Sequence, residues 1–248
     1  MVAPRQLSRP PITEALVDIR IAADAAIDRT RLEPLCAVLH DQYPKLDEKR
    51  QLLTEFRVEA GKMIPPSSRD LGFHGVWLTS SDGTRIAQFR TDGFTLNNVG
   101  AYLGGEALIE EALGLWRQFA KIAEPTAVTR LALRYINRLE LPFAQEDEFK
   151  RFLNAPAELP EEAPQMVSGF LTRVVAQDES GASSIITQKL DGAPLGSPVP
   201  VIIDIDVSFS REFEPDPSTL RPFLGTLRTL KNRCFFALLT DEAANLYL

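Results

Sequence analysis

Three arginines, Arg130, Arg134 and Arg138, recur at intervals of four within residues 127–141. Side chains of a strand alternate between faces, so all three project from the same side. Guanidinium forks in a row can grip a carboxylate or a phosphate through paired N–H bonds, and the spacing reads as a candidate anion site. Asp204 and Asp206 alternate in the same manner along 199–210, as do Glu14, Asp18 and Arg20 along 12–22. Two readings follow. In one, the charges form a ladder across a sheet that holds its register. In the other, Arg20, Arg130, Arg134 and Arg138 hold a small anionic ligand beside Asp204 and Asp206, one of which serves as acid or base. The ladder is favoured, because stacked like charges need opposite partners and neighbouring strands offer them. Asp204 and Asp206 also resemble a metal pair, but no third ligand lies near in sequence, and no metal is expected.

Other chemistry is sparse. Glycine-rich dinucleotide and phosphate loops, the paired-histidine zinc helix and the serine nucleophile elbow are all missing from the sequence. The two histidines, His40 at a helix end and His74 at a strand start, read as structural, which leaves a serine or cysteine nucleophile without an evident base. No cofactor is called for. Cys36 and Cys234 lie far apart without metal-ligand spacing, as in a reducing cytoplasm.

The chain has 248 residues, 44% hydrophobic and 25% charged, with 27 basic against 34 acidic side chains and a net charge of −7. This is the composition of a globular protein, and its acidic balance argues against a general nucleic-acid binder. No apolar run of membrane-spanning length occurs, and Met1 to Pro11 carries no apolar core of a secretory signal. A cytoplasmic protein without membrane contact is therefore expected.

The elements that must position the charges come in a repeating order. Residues 12–22 alternate with Ala15, Val17, Ile19 and Ile21 on one face, and a helix over 29–42 follows, capped by Asp28. Strands are expected near 51–60, 72–80, 84–91 and 93–98, with Ser81-Asp82-Gly83-Thr84 as a hairpin turn. Gly104-Gly105 opens a long helix whose Leu108, Ile109, Ala112, Leu113, Trp116 and Phe119 form one face, closing at Glu124-Pro125. The second half restarts: a strand over 127–141, a short helix near 146–153, strands near 167–178, 183–190 and 199–210, then a long helix capped by Ser218. Thr240 caps a last short turn. Lys231 breaks the apolar stripe of the long helix and reads as solvated, and Asn137 on the apolar side of the arginine strand reads as pinning a helix end or a bulge.

The fold expected is α+β, with a duplicated strand–helix–antiparallel strands–helix unit. Residues 1–125 and 126–248 form the two units of one compact domain with an internal pseudo-twofold. Together they build one long curved antiparallel sheet with the helices on one, convex, face. That order of elements resembles the saddle of TATA-binding protein and its helix-grip relatives.

Three segments carry a second resemblance: Arg9-Pro10-Pro11-Ile12-Thr13-Glu14-Ala15-Leu16, the central Arg134-Tyr135-Ile136-Asn137-Arg138, and Leu230 to Ala243. They resemble the opening, middle and closing blocks of a sporadically distributed bacterial protein family. The resemblance spans nearly the whole chain and implies no activity.

Two function classes remain open. One is a non-enzymatic binding or adaptor module that engages a protein or ligand through its sheet or helix face. The other is an anion- or nucleotide-binding enzyme that uses Arg130, Arg134 and Arg138 with Asp204 or Asp206. A nucleic-acid saddle ranks third, since Glu14, Asp18, Asp204 and Asp206 oppose a positive face. Phe235-Phe236 and Trp77 point to a covered sheet edge or an interface, and a homodimer through an edge strand or the C-terminal helices is one arrangement that covers it.

Overall fold

Alternating apolar and polar residues need a sheet with one covered side and one open side, and that is how the strands are arranged. The computed structural model describes residues 7–59, 62–102, 104–142, 149–164, 167–192 and 198–248. In chain order these form β1 (Ile12–Ala22), α1 (Arg29–Leu39), β2 (Lys45–Glu59), β3 (Lys62–Thr79), β4 (Arg85–Arg90), β5 (Gly93–Val99) and α2 (Gly105–Ala123). There follow β6 (Ala127–Leu141), a 3-10 turn at Phe149–Arg151, β7 (Leu171–Gln177), β8 (Ser183–Leu190), β9 (Val199–Phe209), α3 (Pro217–Leu238) and α4 (Asp241–Asn245).

The strands make one nine-stranded antiparallel sheet in the order β2-β3-β4-β5-β1-β6-β9-β8-β7. The α+β class and the single antiparallel sheet match the expectation. Each half places its first strand at the centre, beside its own last strand. The halves differ in detail: five strands against four, and the eleven-residue α1 against a three-residue 3-10 turn. Of the helix expected at 146–153, the described part holds the 3-10 turn Phe149–Arg151, and residues 143–148 lie outside the described part.

Several boundaries shift. β2 begins six residues before the expected strand and β3 ten residues before, because the two pair with each other along almost their whole lengths. The first helix stops at Leu39, where Tyr43 closes back onto it by donating its N–H to the Leu39 carbonyl. β7 starts at Leu171, later than expected. The cap of α3 is Asp216, whose carboxylate accepts from the Ser218 and Thr219 N–H groups; Ser218 lies inside the first turn behind Pro217. Asp28 and Thr240 cap their helices as expected.

The covered face is built from the predicted apolar positions. Ala15, Val17 and Ile19 of β1, Leu131, Leu133, Tyr135 and Leu139 of β6, and Val201, Ile203, Ile205 and Val207 of β9 are fully buried. α2 packs on β1 and β5, α3 on β6 and β9, and α1 on β3. Phe89 and Phe94 stack with ring centroids 5.3 Å apart beneath Phe119 of α2. Gly93 sits opposite Arg20 of β1 with φ +152, and a Cβ there would stand 2.1 Å from the Ile19 carbonyl oxygen. Only glycine lets β5 approach β1 this closely, and that approach sets the polar residues of β1, β4 and β5 side by side on the open face.

Candidate functional site

On the open face the charged and polar side chains of β1, β4, β5, β6 and β9 meet. The register sets Arg134 opposite Asp206 and Ile136 opposite Asp204 on β9, and Arg130 opposite Arg20 on β1. Arg134 leans past Asp206 to Asp204, and Arg130 leans past Arg20 to Asp18. Arg134 holds Asp204 with two bonds, Nε to Oδ1 at 2.8 Å and Nη2 to Oδ2 at 2.6 Å. Arg130 donates Nη2 to both oxygens of Asp206, at 2.8 and 2.9 Å, and Nη1 to Asp18 Oδ2 at 2.9 Å. Arg138 lies farther along β6 and donates to Glu140 at 2.8 Å and to Asp191 at 2.6 Å. Arg20 donates Nε to Asp18 at 3.2 Å and Nη1 to Asp92.

Beneath this layer lies a pair of buried charges that the sequence reading did not single out as a site. Arg90 of β4, 5% exposed, donates Nη2 to Asp18 Oδ1 at 3.0 Å and Nε to Asp92 at 2.9 Å, while Asp18 is 6% exposed. Thr95 of β5 accepts from Arg90 and donates to Asp18 at 2.7 Å. Gln88 and Asn97 extend the network, the latter donating to Glu14. Gln88 and Arg90 alternate along β4, and Thr95 and Asn97 along β5, so the period-two polar pattern was the signal for them.

The two central carboxylates respond differently. Burial pushes Asp18 up, but the bond from Thr95 and the charges and bonds of Arg20 and Arg90 outweigh it and hold the group below its ordinary range. Burial also pushes Asp206 up, and there Arg130 and Arg134 do not reverse it; Asp18 adds to the rise. The difference follows the donor sets: among the described residues four bond Asp18, whereas Arg130 alone bonds Asp206.

Asp18, Arg20, Arg90, Arg130, Arg134 and Asp206 line an open polar depression of about 280 Å³. Of the expected site residues, Arg20, Arg130, Arg134 and Asp206 are thus brought together. Asp204 stands behind Arg134 as its partner, and Arg138 is turned to a separate cluster with Asp191. Among the described residues no group of three or more His, Cys, Asp or Glu side chains is arranged to hold a metal ion.

On the opposite side of β6, Asn137 donates to the Ile203 carbonyl at 3.0 Å, where the β1–β6 register slips between Ile12 and Glu14. Its amide thus ties β6 to β9, beside the slip but not bonded to it, where a helix end or a bulge was expected. Lys231 corrects the expectation of a solvated lysine: it is 8% exposed, with Nζ 3.9 Å from the centroid of the Tyr135 ring. α3 crosses β6, so a break in the helix stripe lands over an aromatic ring instead of facing water. Burial, and secondarily the charge of Arg228, brings its amine down to about 8.

No protein-family model matches the chain, and no curated protein matches it. Among the described residues no helix is long and apolar enough to cross a membrane.

Proposed function

We propose that this protein is a non-enzymatic binding or adaptor module, with Arg130, Arg134 and Arg138 serving as a charge ladder that holds the central strands in register. The carrying observation is that all three guanidiniums are already met by carboxylates, while seven of the eleven large apolar side chains exposed among the described residues lie on β2, β3 and β7 at the two ends of the sheet. At one end β4 pairs β3 only over Gly75–Thr79, so β2 and β3 run on beyond it as a two-stranded ribbon. A ribbon without a third strand gains little stability of its own. Leu52, Leu53 and Leu71 are exposed on it, which favours a protein partner over a small molecule.

A second reading has its own observation. The depression combines guanidiniums with a carboxyl, Asp206, held above its ordinary range. An anion- or nucleotide-binding enzyme would grip its substrate with Arg20, Arg130 and Arg134 and use Asp206 as the acid.

Thermal-shift measurements with inorganic phosphate, nucleotides and small di- and tricarboxylates separate the two. The ladder predicts no saturable rise in melting temperature, and an Arg134→Ala variant that only loses stability. A rise that disappears in Arg134→Ala overturns the module reading and supports the enzyme. A photoreactive side chain at Leu52 is expected to crosslink to a protein in cells, and one at Arg117 on the outer face of α2 is not.

We further propose a cytoplasmic location, an internal duplication and membership of the sporadically distributed bacterial family. A cytoplasmic location is supported by the two free thiols, Cys36 and Cys234. Duplication is supported by the same placing of first and last strands in each half. Membership of the sporadic bacterial family rests on the three segments described above.

A further inference from the structure

The two edges of the sheet are built differently. β2 carries eight charged residues in fifteen, the usual protection of an edge against unwanted pairing, whereas β7, Leu-Thr-Arg-Val-Val-Ala-Gln, carries only Arg173. Leu171, Val174 and Val175 are 66%, 57% and 55% exposed, and among the described residues no strand pairs with the outer side of β7. The hydrogen bonds of the β7–β8 hairpin show which backbone groups are free. Asp178 donates to the Ala182 carbonyl, and Leu190 donates to that of Phe170, so the even-numbered residues of β7 turn toward β8. By alternation, the N–H and C=O groups of Leu171, Arg173, Val175 and Gln177 point outward, unpaired.

We propose that β7 pairs antiparallel with β7 of a second copy of this chain, about a twofold axis at Val175. The occupant follows from self-complementarity. With Val175 opposite itself, Arg173 stands opposite the partner's Gln177 and one diagonal step from the partner's Glu179. Long side chains reach across such a diagonal. Arg173 and Glu179 are exposed, and among the described residues neither has an ion-pair partner. Val174 falls opposite the partner's Ala176, and the open backbone groups of the two strands satisfy each other. The result is one continuous sheet of eighteen strands, twice the nine of the single chain. The pairing buries the small area of a weak interface, so a dissociation constant on the order of micromolar is expected. This inference takes the β7 edge and leaves the β2–β3 ribbon to the binding-module reading.

Analytical ultracentrifugation from about 1 to 100 μM tests it. Wild type should pass from monomer to dimer across this range. Val175→Pro should stay monomeric at least tenfold higher in concentration with an unchanged melting temperature, because the N–H it removes faces outward and not toward β8. Val174→Pro, which breaks the β8 ladder, should melt lower. Arg173→Glu should weaken the dimer, and adding Glu179→Arg should restore it. Val175→Cys, in a background with Cys36 and Cys234 replaced by Ser, should oxidise to a disulfide-linked dimer, since residues facing each other in a hydrogen-bonded pair lie within disulfide reach. A chain that remains monomeric throughout overturns the proposal. So does a dimer that Val175→Pro leaves intact, or an edge that accepts only a peptide of another protein.

Discussion

On the open face of β6, Arg130, Arg134 and Arg138 each donate to a carboxylate within 2.9 Å; on its covered face, Lys231 lies over the Tyr135 ring with no carboxylate within ion-pair distance among the described residues. The same strand therefore separates two ways of accommodating a cation. On the open face, forks and carboxylates share charge in a network that reaches the buried Asp18–Arg90 pair. On the covered face, a flexible amine meets a ring face and gives up part of its charge, with its pKa brought down to about 8. Burial alone does not decide the outcome. Asp18 is the more buried of the two central carboxyls and yet stays ionised more readily than Asp206, because four residues donate to it.

Asp18→Asn should have the largest effect of any change in the network. It leaves Arg90 and Arg130 each short of a charged partner, and a loss of about 3 kcal/mol in urea unfolding is expected. The sign of its pH dependence follows from the lowered pKa. The carboxylate contributes stability above the ordinary value of 3.8 and loses it as pH falls through the lower folded value, so Asp18→Asn should flatten the acid limb of stability. A loss below about 1 kcal/mol would mean that the network is not what holds the open face together.

Lys231→Met should act in the opposite direction. The folded amine titrates near 8 and the unfolded one near 10.5, so the unfolded state binds the extra proton between these values and wild-type stability rises with pH across that window. Below it, the buried charge costs on the order of 3 kcal/mol. Lys231→Met should therefore be more stable than wild type at pH 7, and the advantage should shrink toward pH 9.5. A constant difference between the two proteins across this range would refute the buried charge.

Arg134→Ala removes a half-exposed guanidinium from the ladder and should cost under about 1 kcal/mol, less still in high salt. Asp206→Asn should be smallest, within about 0.5 kcal/mol, because its amide still accepts from Arg130 and the charge it removes is one that burial disfavours. Its pKa is raised, so wild-type Asp206 loses stability as pH climbs through the range just above 3.8, and the variant should lack that decline. If Asp206→Asn proved costlier than Asp18→Asn, the contrast between the two carboxyls would be reversed.

The face of each residue was legible from the chain. Alternation placed Ala15, Val17, Ile19, Leu131, Leu133 and Ile205 inward and Arg130, Arg134, Asp204 and Asp206 outward, all as found. The glycines of the two hairpin turns, Gly83 and Gly181, adopt the positive φ such turns require. The caps Asp28 and Thr240 were equally legible, because each depends only on residues within one turn. Asp216 and not Ser218 caps α3, and since both residue types make good caps, only the true start of the helix decides between them.

Local spacing therefore determined the α+β class, the inward and outward sets and the row of arginines. The tertiary structure decided which charges meet. A period of two assigns a face but not a neighbour, and the bond from Arg130 to Asp18 joins residues 112 apart along the chain. Whether the arginines were free or paired hung on the registers β1–β6 and β6–β9. Whether Lys231 met water or Tyr135 hung on the path of α3 across the sheet. Both are set by how distant apolar faces pack together, and no window of local sequence contains that information.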